Sequence, residues 1–247
     1  MYAIIGGSGL AKLSALKDTR RLVMRSPYGE PSGALTFGTF GGREVVFLAR
    51  HGYGHTIAPH EVNYRANIWA LREIGVQGIF AVATVGGIRA DLGPGTLVVP
   101  DQIIDYTHSR KSTFFEGAEA QVTHIDFTLP YSAPLRQMLL AAAAAAGEPI
   151  VDGAVYACSQ GPRLETAAEI ERIARDGGDL VGMTGMPEAA LAREAGLDYA
   201  ALGVVVNHAA GRGDSRQQIR LEDLDSVMRQ TVTRAVRVLE QALKAAP

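Results

Sequence analysis

Residues 199–211 read YAALGVVVNHAAG. From Tyr199 to Val206 the run is small and apolar throughout, ends in three valines, and then turns polar at Asn207 and His208. A run of this kind, without polar alternation, suits a strand covered on both faces, as in parallel sheets flanked by helices. Similar short runs recur at 2–5 (YAII), 44–49 (EVVFLA), 78–83 (GIFAVA), 96–99 (TLVV), 151–157 (VDGAVYA) and 179–183 (DLVGM). Helical patterns fall between them at 61–74, 134–146, 164–176, 187–195 and 221–244. Segment 61–74 sets Val62, Ile68, Trp69 and Leu71 near one face, and the alanine tract 141–146 ends at Gly147, a glycine C-cap. The glycine-rich piece 29–43, with the run LTFGTFGGREVVFLA, reads as a hairpin. The expected fold is therefore α/β: a single domain over 1–247 whose central sheet is mixed, largely parallel and flanked by helices. No Pro/Gly/Ser linker or internal repeat divides it.

Composition narrows the function classes. The chain has 247 residues, 47% hydrophobic and 20% charged, with a formal net charge of −2. So balanced a charge gives no basic surface for nucleic acid, and no nucleic-acid partner is expected. The one cysteine, Cys158, reads as a small hydrophobe near a strand end and fits a reducing compartment. The start MYAIIGGSGL lacks a basic n-region, and glycines break its apolar run. No signal peptide is expected there. The longest apolar run, 139–146, is too short to cross a bilayer, so no membrane partner is expected either. The expectation is a soluble cytoplasmic protein.

Ligands of open α/β sheets sit outside the carboxyl ends of the strands. After 2–5 comes GGSG with Ser8, and after 44–49 come Arg50 and His51. After 78–83 come Thr84 and Val85; after the later runs come Met183, Thr184 and Asn207. Hydroxyls, a guanidinium, an imidazole and an amide thus gather along one rim. Taken singly, each has two readings. The Gly6–Gly9 loop is compatible with an anion cradle and with a tight turn; it is neither GxGxxG nor a P-loop. Arg50 suits a bound oxyanion through its planar donor fork, or a surface ion pair. His51, His55 and His60 match no zinc spacing, and no metal is expected. Neither a GxSxG elbow nor a glycosidase-like carboxylate pair stands out.

The blocks GGSGL, RHGYGHTIAPHEVNYRANIWAL (50–71), TVGGIR (84–89), PGTLVVPDQIIDYT (94–107), QGPRLETAAE (160–169), MTGMPEAALAREAG (183–196) and VVVNHAAG (204–211) run in collinear order through nearly the whole chain. They resemble the trimeric purine nucleoside phosphorylase family, and within it the methylthioadenosine phosphorylase branch. The resemblance implies a homotrimer that takes a purine nucleoside and inorganic phosphate as co-substrates. It implies neither a metal nor an organic cofactor. By similarity Ser8, Arg50, His51, Thr84, Val85 and Thr184 bind phosphate, and Met183 lies along the ribose.

Two departures from the adenine-cleaving branch bear on the base. That branch has aspartates where this chain has Asn207 and Ala209, and serine where it has Glu165. Oxopurine phosphorylases carry asparagine and glutamate there, so the resemblance implies a 6-oxopurine, with Asn207 the candidate catalytic contact to the departing base. At the sugar end the oxopurine enzymes have a histidine near the start of the last helix. This chain offers Leu221 and Leu224, an apolar lining that favours a methylthio group. His124, in the loop 107–130, is the candidate contributed to a neighbouring subunit. The implied activity is phosphorolysis of S-methyl-5′-thioinosine. The alternatives are a methylthioadenosine or general oxopurine phosphorylase and, outside enzymes, a nucleoside sensor.

Overall fold

The computed structural model describes residues 1–118 and 120–246, apart from the side chains of Leu221 and Asp223. Its strands are β1 (Tyr2–Gly6), β2 (Lys17–Leu22), β3 (Leu35–Phe40), β4 (Arg43–Ala49), β5 (Gly78–Gly87), β6 (Leu97–Val99), β7 (Gln102–Asp105), β8 (Ile150–Asp152), β9 (Val155–Cys158), β10 (Leu180–Gly182) and β11 (Asp198–His208). Its helices are α1 (Tyr64–Glu73), α2 (Ala133–Ala146), α3 (Ala167–Arg175), α4 (Gly185–Glu194) and α5 (Leu221–Lys244). Together they form the expected single α/β domain with a mixed, largely parallel sheet.

β5 and β11 are the centre, and their side chains explain why. Along β5, Ile79 and Ala81 join a core cluster beneath α1 and α4, while Phe80 and Val82 join another beneath α2 and α5. β11 alternates in the same way: Tyr199 and Ala201 face one cluster, Ala200, Leu202 and Val204 the other. Apolar residues are therefore needed at every position, which is the pattern of a sheet covered on both faces. Trimming Leu202, which is fully buried, to alanine would cost about 2–5 kcal/mol.

The sheet branches at β5. Tyr2–Ile5 of β1 pair in parallel with 78–81 of β5, while further on Leu180 and Val181 of β10 pair antiparallel with Gly87 and Gly86. β11 runs parallel along the opposite edge. Between the departure of β1 and the arrival of β10, residues 82–85 have no strand partner on that edge among the described residues. A crevice opens there, at the carboxyl ends of β1, β4, β5 and β11.

Several element boundaries differ from the sequence reading. The run 151–157 breaks at Gly153, whose φ of 87° turns the chain between β8 and β9. Helix α1 starts at Tyr64 rather than 61, because Asn63 caps it by accepting from the Ala66 amide. Trp69 is only half-buried, whereas Asn67 of that helix is buried and exchanges hydrogen bonds with Ser32. α3 starts at Ala167 rather than 164, after a capping box in which Thr166 and Glu169 bond each other's backbone amides. The expected hairpin joins β3 to β4 around Gly41 and Gly42, both at positive φ. β2 and β7 were not anticipated. β2 (KDTRRL) is an exposed, charged edge strand, and among the described residues β7 pairs only with β9. No helix of the described residues is long and apolar enough to cross a membrane.

Candidate active site

The crevice encloses a cavity of about 640 Å³. Each strand end gives it something: Gly7 and Ser8 after β1, Arg50 and His51 after β4, Thr84 and Val85 within β5. Met183 and Thr184 follow β10, and Val206 and Asn207 belong to β11. Residues 55–59, the loop before α3 and the first turns of α5 complete the wall.

At one end the groups are suited to an anion. Gly7 is obligatory, since a Cβ there would stand 2.8 Å from the Val82 carbonyl oxygen and 2.9 Å from Arg50 Nη1. Arg50 lines the cavity close behind, with much of its donor fork engaged inside the protein. Nε and Nη2 donate to Glu188 Oε2 and Oε1 at 2.6 and 2.7 Å, and Nη1 donates to the Val82 carbonyl at 3.1 Å. Both partners are buried, at 1% and 0% exposure, so the ion pair is internal and not on the surface. Burial alone would weaken the guanidinium's hold on its proton; the Glu188 carboxylate more than offsets this and holds the pKa above its ordinary value. Tyr199 donates a further bond to Glu188 at 2.8 Å.

His51 is fixed in one tautomer. Its Nδ1 lies 2.8 Å from the Ile57 carbonyl and must carry the proton to bond it, which leaves Nε2 as a bare acceptor. Burial, and then the charge of Arg50, push the imidazole down to about 4. The His55 ring lies 4.7 Å away, tilted by 51°, and its Nε2 lies 3.5 Å from Ser8 Oγ. The Thr184 hydroxyl makes no capping bond to α4, although its amide donates to Tyr156 Oη. No group of three or more His, Cys, Asp or Glu among the described residues is placed to hold a metal ion.

The other end presents an amide and a carboxylate beside an apolar wall. A register shift between Val205 and Asn207 re-aims the end of β11 beside Gly86. A Cβ on Gly86 would lie 3.4 Å from Asn207 Nδ2, so the glycine keeps that space open. Nδ2 donates to the His208 carbonyl at 2.6 Å, which fixes the amide's orientation and leaves one N–H and Oδ1 unused. Glu165 stands just before the Thr166 cap rather than in the first helical turn, and Ser159 Oγ donates to it. Leu224, Met228, Ile219 and Val206 supply an apolar wall, with Asp225 beside them.

Ten of the residues singled out from the sequence thus line one cavity: Ser8, Arg50, His51, Thr84, Val85, Glu165, Met183, Thr184, Asn207 and Leu224. The side chain of Leu221 lies outside the described residues. His124 is exposed and does not line this chain's cavity. Sequence reasoning missed Glu188, Ser159 and Asp225, and weighed His55 only as a metal ligand. Glu188 carried a signal, as an acid inside the otherwise small and apolar MPEAALA, which calls for a buried cation. Cys158 ends β9 fully buried, and burial pushes its thiol up to about 12, so it has no nucleophilic character.

Residues 1–244 match the model of the phosphorylase superfamily. A protein of Pseudomonas syringae pv. tomato named as a probable S-methyl-5′-thioinosine phosphorylase is 52% identical over 99% of both chains. A 6-oxopurine nucleoside phosphorylase of Pyrococcus furiosus is 49% identical over 85% of this chain and 80% of its own. Among solved structures, methylthioadenosine phosphorylase from Schistosoma mansoni in complex with adenine superposes with a TM-score of 0.93 at 32% identity. That alignment covers 98% of this chain and 90% of the other.

Proposed function

We propose that this chain, which belongs to the phosphorylase superfamily, converts S-methyl-5′-thioinosine and phosphate to hypoxanthine and 5-methylthioribose 1-phosphate. The observation that carries the reading is a single cavity with hydroxyl and imidazole groups at one end and, at the other, a neutral amide beside a carboxylate and an apolar wall. In this reaction Ser8, Thr84, Thr184 and the Val85 amide donate to phosphate beneath the anomeric carbon, His51 Nε2 accepts from the protonated oxygen of hydrogen phosphate, and Arg50 lies behind them. A phosphate oxygen bonds to that carbon as the bond to the purine nitrogen breaks, through a transition state of oxocarbenium character. Phosphate is a co-substrate, and the protein's tasks are positioning and electrostatic stabilisation.

The base reading rests on two groups. The free N–H of Asn207 donates to the 6-oxo oxygen while Oδ1 meets the imidazole edge of the purine, and Glu165 accepts from the ring N–H. Ala209 supports it: where the adenine-cleaving branch has a second aspartate, this chain buries a methyl group against Ile88, Ala157 and Val181. Leu224, Ile219 and Met228 favour the methylthio group, and Met183 lies along the ribose. The name of the Pseudomonas relative agrees with this combination.

The deciding experiment compares kcat/KM for methylthioinosine, methylthioadenosine, inosine and adenosine, each with phosphate. Methylthioinosine is expected to lead. A lead for the adenine substrate overturns the base reading. A lead for inosine overturns the sugar reading and favours a hydroxyl bound near Asp225, which shares that wall. Base release independent of phosphate overturns phosphorolysis itself.

The proposal extends to a cytoplasmic homotrimer in which His124 reaches a neighbouring subunit's sugar end. Phe115, Val122 and Leu129, exposed apolar side chains in the 107–130 loop, support a covered face there. Light scattering giving the mass of a monomer would remove it.

A further inference from the structure

We infer that Arg110, which does not line the cavity, is a positioning residue for the proposed reaction: it holds the sugar-facing turn at Met183 in register with the base-facing loop that carries Glu165. The inference rests on the reading of that cavity given above.

The two segments start together and diverge. The Ser159 amide donates to the Gly182 carbonyl at 2.7 Å, after which one chain runs to Glu165 and the other through Met183 and Thr184 into α4. Arg110 spans the fork. Nη1 donates to the carbonyls of Met183 and Met186 at 2.9 and 2.6 Å. Nη2 reaches the carbonyls of Gln160 at 2.8 Å and Ser159 at 3.4 Å, and Nε donates to Gln160 Oε1 at 3.2 Å. Nη1 also lies 3.3 Å from Tyr64 Oη, which itself donates to the carbonyl of Pro59 in the cavity wall.

All these partners are neutral oxygens. Half-buried and bonded chiefly to carbonyls, the guanidinium serves geometry. A planar fork can reach two segments at once, whereas a lysine ammonium donates from a single atom. The consequences reach the site through short links. Ser159, held by its carbonyl, donates its hydroxyl to Glu165. Gly161, on the same loop, leaves room for Met183: a Cβ there would lie 2.5 Å from the methionine sulfur. Loosening the clamp therefore moves base reader and sugar wall against each other.

The test uses Arg110→Ala and Arg110→Lys, with Arg136→Ala as control. Arg136 likewise donates to backbone carbonyls, those of Val99 and Pro100, and does not line the cavity. Using whichever nucleoside the wild type cleaves best, both Arg110 variants should lose about 10- to 100-fold in nucleoside kcat/KM, the scale of a misplacement near 1 Å. KM for phosphate should move far less, because only Thr184 of its proposed binders sits on the clamped turn. Added guanidinium ion should recover part of the loss in Arg110→Ala, and Arg136→Ala should lower Tm without altering the nucleoside-to-phosphate split. Wild-type kinetics in either folded Arg110 variant, or equal shifts in both KM values, overturn the inference. If Arg110→Ala does not fold, Arg110→Lys decides by the same criteria. A wild type that cleaves no nucleoside refutes the functional reading alone. Hypoxanthine affinity by calorimetry then judges Arg110: about tenfold weaker binding supports it, unchanged affinity overturns it.

Discussion

Asn207→Asp separates reading of the base from support for its departure, and the structure fixes what the change costs. In the native chain one N–H of the amide is committed to the His208 carbonyl at 2.6 Å. An aspartate in the same rotamer sets an oxygen against that oxygen, so the side chain must turn and the carbonyl loses its donor. A half-buried acceptor left unpaired costs about 1–3 kcal/mol. At roughly 2–4 °C per kcal/mol for a chain this long, Tm falls by about 2–12 °C. At the base, the oxopurine loses a donor and meets a negative charge, another 1–3 kcal/mol or about 5- to 150-fold in kcat/KM. The adenine nucleoside gains an acceptor for its exocyclic amine. The ratio of kcat/KM for methylthioinosine to that for methylthioadenosine should therefore drop by about a hundredfold or more. The switch stays incomplete, because Ala209 is buried and leaves no place for the second carboxylate of the adenine branch. The assay is both kcat/KM values at saturating phosphate, with Tm measured in parallel. An unchanged ratio in a folded variant refutes Asn207 as the reader. Equal losses for both substrates make it a group that steadies the departing base whatever its identity.

Three further outcomes follow from the anion end and the sugar wall. Glu188→Gln leaves the buried Arg50 charge without its counter-ion at a cost of about 3–5 kcal/mol. Saturating phosphate should raise the variant's Tm by more than it raises the wild type's, and thermal melts showing wild-type behaviour would exclude this role for the pair. His51 is held near 4 while the unfolded chain titrates at 6.5. The stability from this site is thus complete above pH 6.5 and is lost as pH falls toward 4, where only the unfolded chain takes up the proton. His51→Gln should flatten denaturant-derived stability across that window, and an unaltered slope would contradict a neutral buried imidazole. Leu224→Ser should cut the kcat/KM preference for methylthioinosine over inosine by about tenfold or more, the scale of one apolar contact; no change would place the methylthio group elsewhere.

The sequence made the centre of the fold legible and left its margins obscure, for a physical reason. β5 and β11 bury both faces, so each residue had to be apolar and the runs stood out. β2, with the sequence KDTRRL, is exposed along its whole length and held by backbone pairing to β3, which leaves no trace in side-chain patterning. The same division runs through the site. Groups at strand ends could be found because a strand end is a local event. The residues that orient them could not: Glu188 stands 138 positions from Arg50, and Arg110 is 50 and 73 positions from the carbonyls of Gln160 and Met183. Glu165 lay between the two cases. Its residue type was informative, but its place outside the helix depended on the Thr166–Glu169 capping box that begins at the next residue.

The charge arrangement around the anion end bears on how the proposed reaction runs. Arg50 is neutralised by Glu188, His51 is neutral through the physiological range, and the remaining candidate donors there are hydroxyls and amides. A phosphate held in this way is oriented by dipoles and hydrogen bonds rather than by an unpaired cation. An unpaired cation would stabilise the dianion in the ground state as strongly as in the transition state, and uniform stabilisation of that kind does not raise kcat. With dipolar holding, phosphate keeps its charge available for the positive character that grows on the ribosyl carbon as the base leaves. Glu188 then has a second effect beyond fixing its partner. By cancelling the guanidinium charge, it would reserve the phosphate's negative charge, in the proposed reaction, for the oxocarbenium-like centre, the one cation that exists only in the transition state.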